Sequence, residues 1–236
     1  MASPTSARAA RVLHHLKRQH ITTRETLLRL LFHDAKGASA FNNVLYRNLT
    51  QRGLVRTVPL GIAKQVYFQL TEAGAVAADA HRSVTRDLRP RDLFTLYAEL
   101  LFCYHDSSPR PKLTPEEFDQ YFPGRRTTEA FGPYYIDEEH GIRRLGRILV
   151  DLADRNLAAA AEKALADMQE FGDDFLAERR VALAVVTTTP RAERQVRACL
   201  EPFKGRGVSI RTRHFPALTQ LLGHVARPAT RGPANA

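Results

Sequence analysis

The residues best equipped for chemistry lie between Ser39 and Arg52. With Phe41, Leu45 and Leu49 at i, i+4 and i+8 on the buried stripe of a helix, the outward face carries Ser39, Asn42, Asn43, Tyr46, Arg47, Thr50 and Gln51. An asparagine amide pairs bidentately with an adenine edge and a guanidinium with guanine, while Ser, Thr and Tyr hydroxyls hold phosphate oxygens. Ser39, Asn42, Asn43, Tyr46 and Arg47 are therefore the expected base-reading residues of a double-stranded DNA contact, with Thr50 and Gln51 on the backbone. A solvated helix face is the plain alternative, but two adjacent Asn and a Tyr are poor helix formers for that role. Arg56 and Lys64 flank a turn with Gly61 at its tip, suited to a minor-groove or phosphate contact. Lys17, Arg18, Arg24 and Arg29 supplement it on the backbone.

A second chemistry is carried by Asp137-Glu138-Glu139. A metal-dependent nuclease of the restriction-endonuclease type needs one strand carboxylate and then an acid-x-Lys, so that two acids hold the metal and the lysine steadies the transition state. Glu138 is followed two places later by His140 and Glu139 by Gly141, and no lysine occurs between Lys112 and Lys163. The acids are expected to be solvated or paired with Arg143 or Arg144, and the chain is read as no enzyme. His14 and His15 are adjacent and expected on different faces of a helix, so with His20 they make a poor metal cluster. No HExxH, phosphate-cradling P-loop or GxSxG elbow occurs, and no cofactor or small-molecule ligand is expected.

The charge distribution favours the first chemistry. The first 89 residues hold 14 Lys+Arg against 5 Asp+Glu, and the remainder holds 21 against 20. A surplus confined to one small module reads as a footprint for a polyanion, because each cation seated on a phosphate releases counterions. Cys103 and Cys199 lack CxxC spacing and sit in apolar patterns, as reduced thiols do. No apolar run has the length of a membrane span and no hydrophobic signal core is seen near Met1, so a cytoplasmic protein without membrane contact is expected.

The elements that must position these residues follow from periodicity. A helix is expected over Ala7–Gln19 with Ala10, Val12, Leu13 and Leu16 inward, and a second over Arg24–Phe32 capped by Thr22 or Thr23. A third, capped by Ser39, ends at Arg52-Gly53. Strands follow at Leu54–Val58 and Gln65–Leu70, with Val66, Phe68 and Leu70 inward and Gln65, Tyr67 and Gln69 outward. Thr71 then opens a helix to about His81. This order over residues 7–82 is that of a winged helix-turn-helix domain. Leu49–Arg56 and Tyr67–Gly74 resemble corresponding segments of bacterial winged-helix regulators, in which the recognition helix ends in a glycine and the second wing strand ends in Leu-Thr-x-x-Gly.

Ser83–Pro90 is the expected boundary, and residues 91–225 the second domain. Helices are expected over Arg91–Tyr104, after the cap Thr114, over Ile142–Phe171 and Pro190–Phe203, and finally over Ala217–Val225. Strands are expected over Phe131–Glu138, Val181–Thr187 and Val208–Arg213, and the alternation implies a small α/β domain with a mostly parallel sheet. Phe131–Gly141, the arginine-rich segment Arg143–Arg147 read as helical, and Val181–Val186 leading into Thr187–Arg194 resemble the carboxy-terminal domain of the replication-relaxation family. Its members are DNA-associated proteins of plasmids, phages and integrating elements, with a winged helix ahead of this domain. The resemblance implies a fold akin to restriction endonucleases, here without the catalytic set.

Together these features predict a sequence-specific DNA-binding protein, a transcriptional regulator or a replication or transfer factor of a mobile element. It is expected to act as a homodimer through its second domain, since two linked winged helices multiply affinity on a symmetric site. The rival readings are a nuclease acting through Asp137 and Glu139, and an adaptor whose winged helix meets protein instead of DNA. Operator, regulated genes and the sign of regulation are not written in the sequence.

Overall fold

A computed structural model describes residues 7–34, 37–62, 64–106, 108–123, 132–139, 141–152, 156–169 and 180–225. The chain is mixed α/β and forms two units, Met1–Tyr97 with Pro216–Ala236, and Ala98–Phe215. Residues 83–90 are no free linker, because Arg82–Thr85 forms a 3-10 turn with Val84 buried. The boundary falls instead inside helix Pro90–Tyr104, and the last helix, expected in the second domain, groups with the first unit.

In the first unit α1 (Ala7–Gln19) buries Ala9, Val12, Leu13 and Leu16. That i, i+3, i+4, i+7 stripe leaves Ala10 exposed, contrary to expectation. Thr22–Thr23 form a short strand β1, and Thr23 also caps α2 (Arg24–Leu31), its hydroxyl accepting from the Thr26 amide at 3.3 Å. Helix α3 (Gly37–Asn42) continues as a π-helical segment, Asn43–Thr50. Ser39, expected as the cap, lies inside its first turn.

Strands β2 (Val55–Pro59) and β3 (Val66–Leu70) pair antiparallel from Val55↔Leu70 to Pro59↔Val66, and the sheet order is β1-β3-β2. Strand β1 also pairs with β3, through Thr22↔Phe68 and Thr23↔Tyr67, so β3 is central rather than an outer wing strand. Tyr67 and Gln69, expected outward, are therefore buried at 4% and 0% exposure. Thr71 caps α4 (Glu72–Ala77), its hydroxyl accepting from the Gly74 amide at 3.1 Å. A Cβ on Gly74 would stand 1.8 Å from the Leu54 carbonyl oxygen, which gives the Leu-Thr-x-x-Gly sequence its steric reason. The helix ends at Ala77, short of the expected His81.

The second unit contains the carboxy-terminal part of α5 (Pro90–Tyr104), then α6 (Pro115–Tyr121), where Thr114 and Glu117 form a reciprocal capping box. A four-stranded sheet follows in the order β4-β5-β6-β7: β4 (Tyr134–Glu139), β5 (Ile142–Val150), β6 (Val181–Thr187) and β7 (Ser209–His214). Only β4 runs antiparallel to its neighbour; β5, β6 and β7 are parallel, linked through α7 (Leu157–Gln169) and α8 (Pro190–Gly205). The last helix, α9, spans Pro216–Val225.

The helix expected over Ile142–Phe171 is corrected here. Its first part is β5, paired with β4 across the two-residue connection His140-Gly141, and helix begins only at Leu157. Leu145, Ile148 and Leu149 satisfy a helical spacing, but pairing on both sides settles the segment as a strand. Residues 170 and 171 lie outside the described residues.

One face of this sheet carries Leu145, Leu183 and Val185 against Ala164, Leu165 and Met168 of α7 and Val196, Leu200 and Phe203 of α8. Strand β6 is buried along its whole length, the mark of a central parallel strand. The opposite face is built differently. Registers place Tyr135, Gly146, Ala182 and Ser209 in one row and Ile148, Ala184 and Arg211 in the next. The Tyr135 ring fills the space above Gly146, where a Cβ would come within 2.3 Å of it, and Phe102 of α5 meets that ring edge-on at 5.0 Å.

Candidate nucleic-acid interface

Helix α3 and its π-helical extension are fixed from behind. Phe41, Leu45 and Leu49 are fully buried, and Phe41 meets Phe32 and Phe68 edge-on with ring centroids 5.6 and 6.2 Å apart. The opposite side exposes Ser39, Asn42, Asn43, Arg47 and Gln51. Asn48 and Arg52, not singled out from the sequence, are exposed on the same helix and its following turn; they stand five residues after Asn43 and Arg47, a step that an α-helical spacing of three or four does not reach. The Gln51 amide donates to the Tyr46 carbonyl five residues back at 2.8 Å, so the polar face is carried on a widened helical turn, a feature frequent at functional sites.

Two assigned residues of this helix have other surroundings. Tyr46 is half-buried, its ring 6.0 Å from Phe41 and 6.2 Å from Phe68, so it packs with the aromatic core and not on the exposed polar face. Thr50 is half-buried with an Oγ1 that has no hydrogen-bond partner among the described residues.

The basic residues expected on the backbone divide in the same way. Lys64 is exposed, and Arg24 is exposed with its guanidinium 5.1 Å from the centre of the Phe41 ring. The structure brings these two together on a cleft of ≈ 370 Å³ that also includes Thr23, Glu25 and Tyr97. Burial, and secondarily the Glu25 carboxylate, push the Tyr97 hydroxyl up to about 12. Arg29 is exposed, Arg18 half-buried, and Lys17 lies 3.8 Å from Asp79.

Arg56 is a correction. One terminal nitrogen donates to the Gln69 side-chain oxygen and to the Thr85 carbonyl, both at 2.9 Å, and the other pairs with Asp87 at 2.8 Å. Gln69 in turn donates to the carbonyls of Val84 at 2.9 Å and Arg86 at 2.8 Å. The buried Gln69 amide, its oxygen and its nitrogen both partnered, pins the segment after α4 onto the sheet, and Arg56 serves there as a structural tie.

In the acidic cluster of the second unit Asp137 and Glu138 are likewise ion-paired. Asp137 is 1% exposed and accepts from the Arg110 Nε at 3.3 Å and the Arg211 Nε at 2.8 Å. Arg211 stands on β7 and Asp137 on β4, so this pair reaches over the two strands between them, where the residues of β6 on that face are Ala182 and Ala184. Arg110 and Arg213 also meet Asp106, at 3.1 and 3.3 Å, and Lys112 pairs with Glu99 at 2.7 Å in a buried setting. Each oxygen of Asp137 is thus engaged by a guanidinium group, Oδ1 by Arg110 and Oδ2 by Arg211, so the buried charge is compensated on both sides. Glu138 pairs with Arg143 at 3.3 Å at the surface, as expected, and the Glu139 side chain lies outside the described residues. Among the described residues no three His, Cys, Asp or Glu side chains converge as metal ligands, and no helix is long and apolar enough to cross a membrane.

The chain matches no protein-family model, and neither the curated proteins nor the solved structures include one significantly similar to it.

Proposed function

We propose that this chain is a sequence-specific double-stranded DNA-binding protein that reads bases with the exposed face of residues 39–52. The observation that carries the reading is the combination of exposed Ser39, Asn42, Asn43, Arg47 and Gln51 with a back face locked by Phe41, Leu45 and Leu49. Groups able to read base edges work best on a rigid element, because their positions are set before DNA arrives. Lys64 and Arg24 supply phosphate contacts, and Asn48 and Arg52 extend the face. The order helix, strand, helix, helix, strand, strand, with the tight turn around Gly61, supports a winged helix-turn-helix reading of the first unit.

The second unit is proposed as a scaffold without a reaction of its own, related in architecture to restriction endonucleases, through which two chains pair in the cytoplasm. The doubly ion-paired Asp137 supports that reading over the nuclease. A role on a mobile element rests on the resemblance to the replication-relaxation family, of which the segment 143–147 is here a strand and not a helix. The test is binding of the full-length protein to fragments flanking its own gene, with salt titration and footprinting. A protected site with a steep salt dependence is expected. Binding that is absent, or indifferent to salt, would defeat the proposal.

A further inference from the structure

Helix α1 has no acidic residue in its 13 positions, yet Arg8, Arg11, Lys17 and Arg18 all stand on it. Arg8 is answered by Asp34 and Lys17 by Asp79. Arg11, His14, His15 and Arg18 recur at i, i+3, i+4 and i+7, on the side away from the buried stripe of Ala9, Val12, Leu13 and Leu16. Despite their adjacency, both histidines border the same hollow. With Ala10 and with Leu31 of α2 these four side chains line an open cleft of ≈ 380 Å³, and none of its described lining residues carries a carboxylate.

Arg11 and His14 are exposed at its mouth. His15 is 8% exposed and its Nε2 lies 3.0 Å from the Thr22 hydroxyl, which fixes the ring as one wall. Like charges repeated along one helix face weaken the helix, and an anion entering the cleft relieves that repulsion. Guanidinium groups also match the geometry of phosphate oxygens.

We infer that this cleft binds a tetrahedral phosphate-class oxyanion, with Arg11 and His14 as its outer donors and Arg18 on its wall. The anion comes either from a phosphodiester of the DNA backbone or from a free phosphate group. The first source rests on the DNA-binding proposal; the second does not.

The test compares the full chain with Arg11→Gln/His14→Gln, both at exposed positions, and with Arg11→Glu. Inorganic phosphate is titrated against chloride at equal ionic strength while Tm is read, and DNA affinity is measured across a salt series. For a free-phosphate site, Tm of the parent rises by roughly 3–5 °C at about ten times the Kd, and both variants lose the rise. For a backbone site, phosphate leaves Tm alone and the salt slope becomes shallower by about 1 in the double variant, with a larger change in Arg11→Glu. Variants that keep both the phosphate response and the salt slope of the parent overturn the inference, as does a parent that shows neither response. If the parent binds no DNA, the phosphate arm alone decides the cleft, and the DNA reading fails separately.

Discussion

In the first unit Arg11, Arg47 and Arg52 stand exposed with no ion pair among the described residues, whereas in the second Arg110, Arg211 and Arg213 converge on Asp106 and Asp137. The same side chain is left open to solvent in one place and built into an ion-pair network in the other. What separates the two is the surroundings: an arginine is available to a polyanion only where the fold has not already supplied an anion. The near balance of 21 basic and 20 acidic residues after residue 89 is, in that light, the signature of a network that closes on itself. Arg56 shows that the division does not follow the unit boundary, since it lies in the basic module and both its terminal nitrogens are engaged.

The comparison is broken most readily at Asp137. Asp137→Ala leaves Arg110 and Arg211, 17% and 24% exposed, without their shared partner and should cost about 3–5 kcal/mol in urea unfolding. A loss below about 1 kcal/mol accompanied by altered DNA chemistry would show that the acid is functional, not a strut.

Within the first unit the contrast sharpens between neighbours. Arg56→Ala strips the buried Gln69 oxygen of its donor and should lower stability by about 1–3 kcal/mol while leaving the affinity of the folded protein for random DNA close to that of the parent. Arg47→Ala and Asn43→Ala should do the reverse, preserving stability and weakening the specific complex by about 1–3 kcal/mol each with little change on random DNA. Calorimetric unfolding and competition binding on the same preparations separate the two outcomes. Equal losses on specific and random DNA for Arg47→Ala and Asn43→Ala would remove the base-reading assignment.

A smaller effect is expected from alkali. Burial pushes the Cys103 thiol up to about 12 from 9.0, with Lys112 opposing the shift. Because the folded state holds the proton more tightly, this contribution is complete below pH 9 and is lost as pH rises from 9 toward 12. Stability should fall by roughly 1 kcal/mol between pH 9 and pH 10, and Cys103→Ala should flatten that part of the profile. An unchanged slope in the variant would place the titration elsewhere. The smallest change belongs to Lys64→Ala, expected to reduce affinity for specific and random DNA alike and to lower the salt slope by about 0.9. A loss on the specific site alone would make Lys64 a base reader.

Elements with local causes were legible in the sequence. Both ends of α1, the caps Thr23, Thr71 and Thr114, and the buried run of β6 follow from near neighbours. Strand β5 was not, because Leu145, Ile148 and Leu149 fit a helix and a strand alike, and only the pairing partners on either side decide between them. The candidate face on residues 39–52 was readable from periodicity, but the inward turn of Tyr46 depends on Phe68, a residue of another element. The partners of Asp137 lie 27 and 74 positions away, and the tie between Arg56 and Gln69 depends on β3 being central. No spacing rule reaches such pairs.

The row of small side chains beneath the Arg211–Asp137 pair has an evolutionary consequence. Gly146, Ala182 and Ala184 occupy two different strands, yet together they set the headroom shared by the Tyr135 ring and by a guanidinium that spans the sheet. A bulkier residue at any one of them cannot be absorbed locally, since the interior has no slack to give. Drift at these positions is therefore coupled: lineages that enlarge one must trim Tyr135 or surrender Arg211, and the loss of Arg211 in turn releases Asp137. Six positions scattered over 77 residues of sequence are bound to change as a set or not at all.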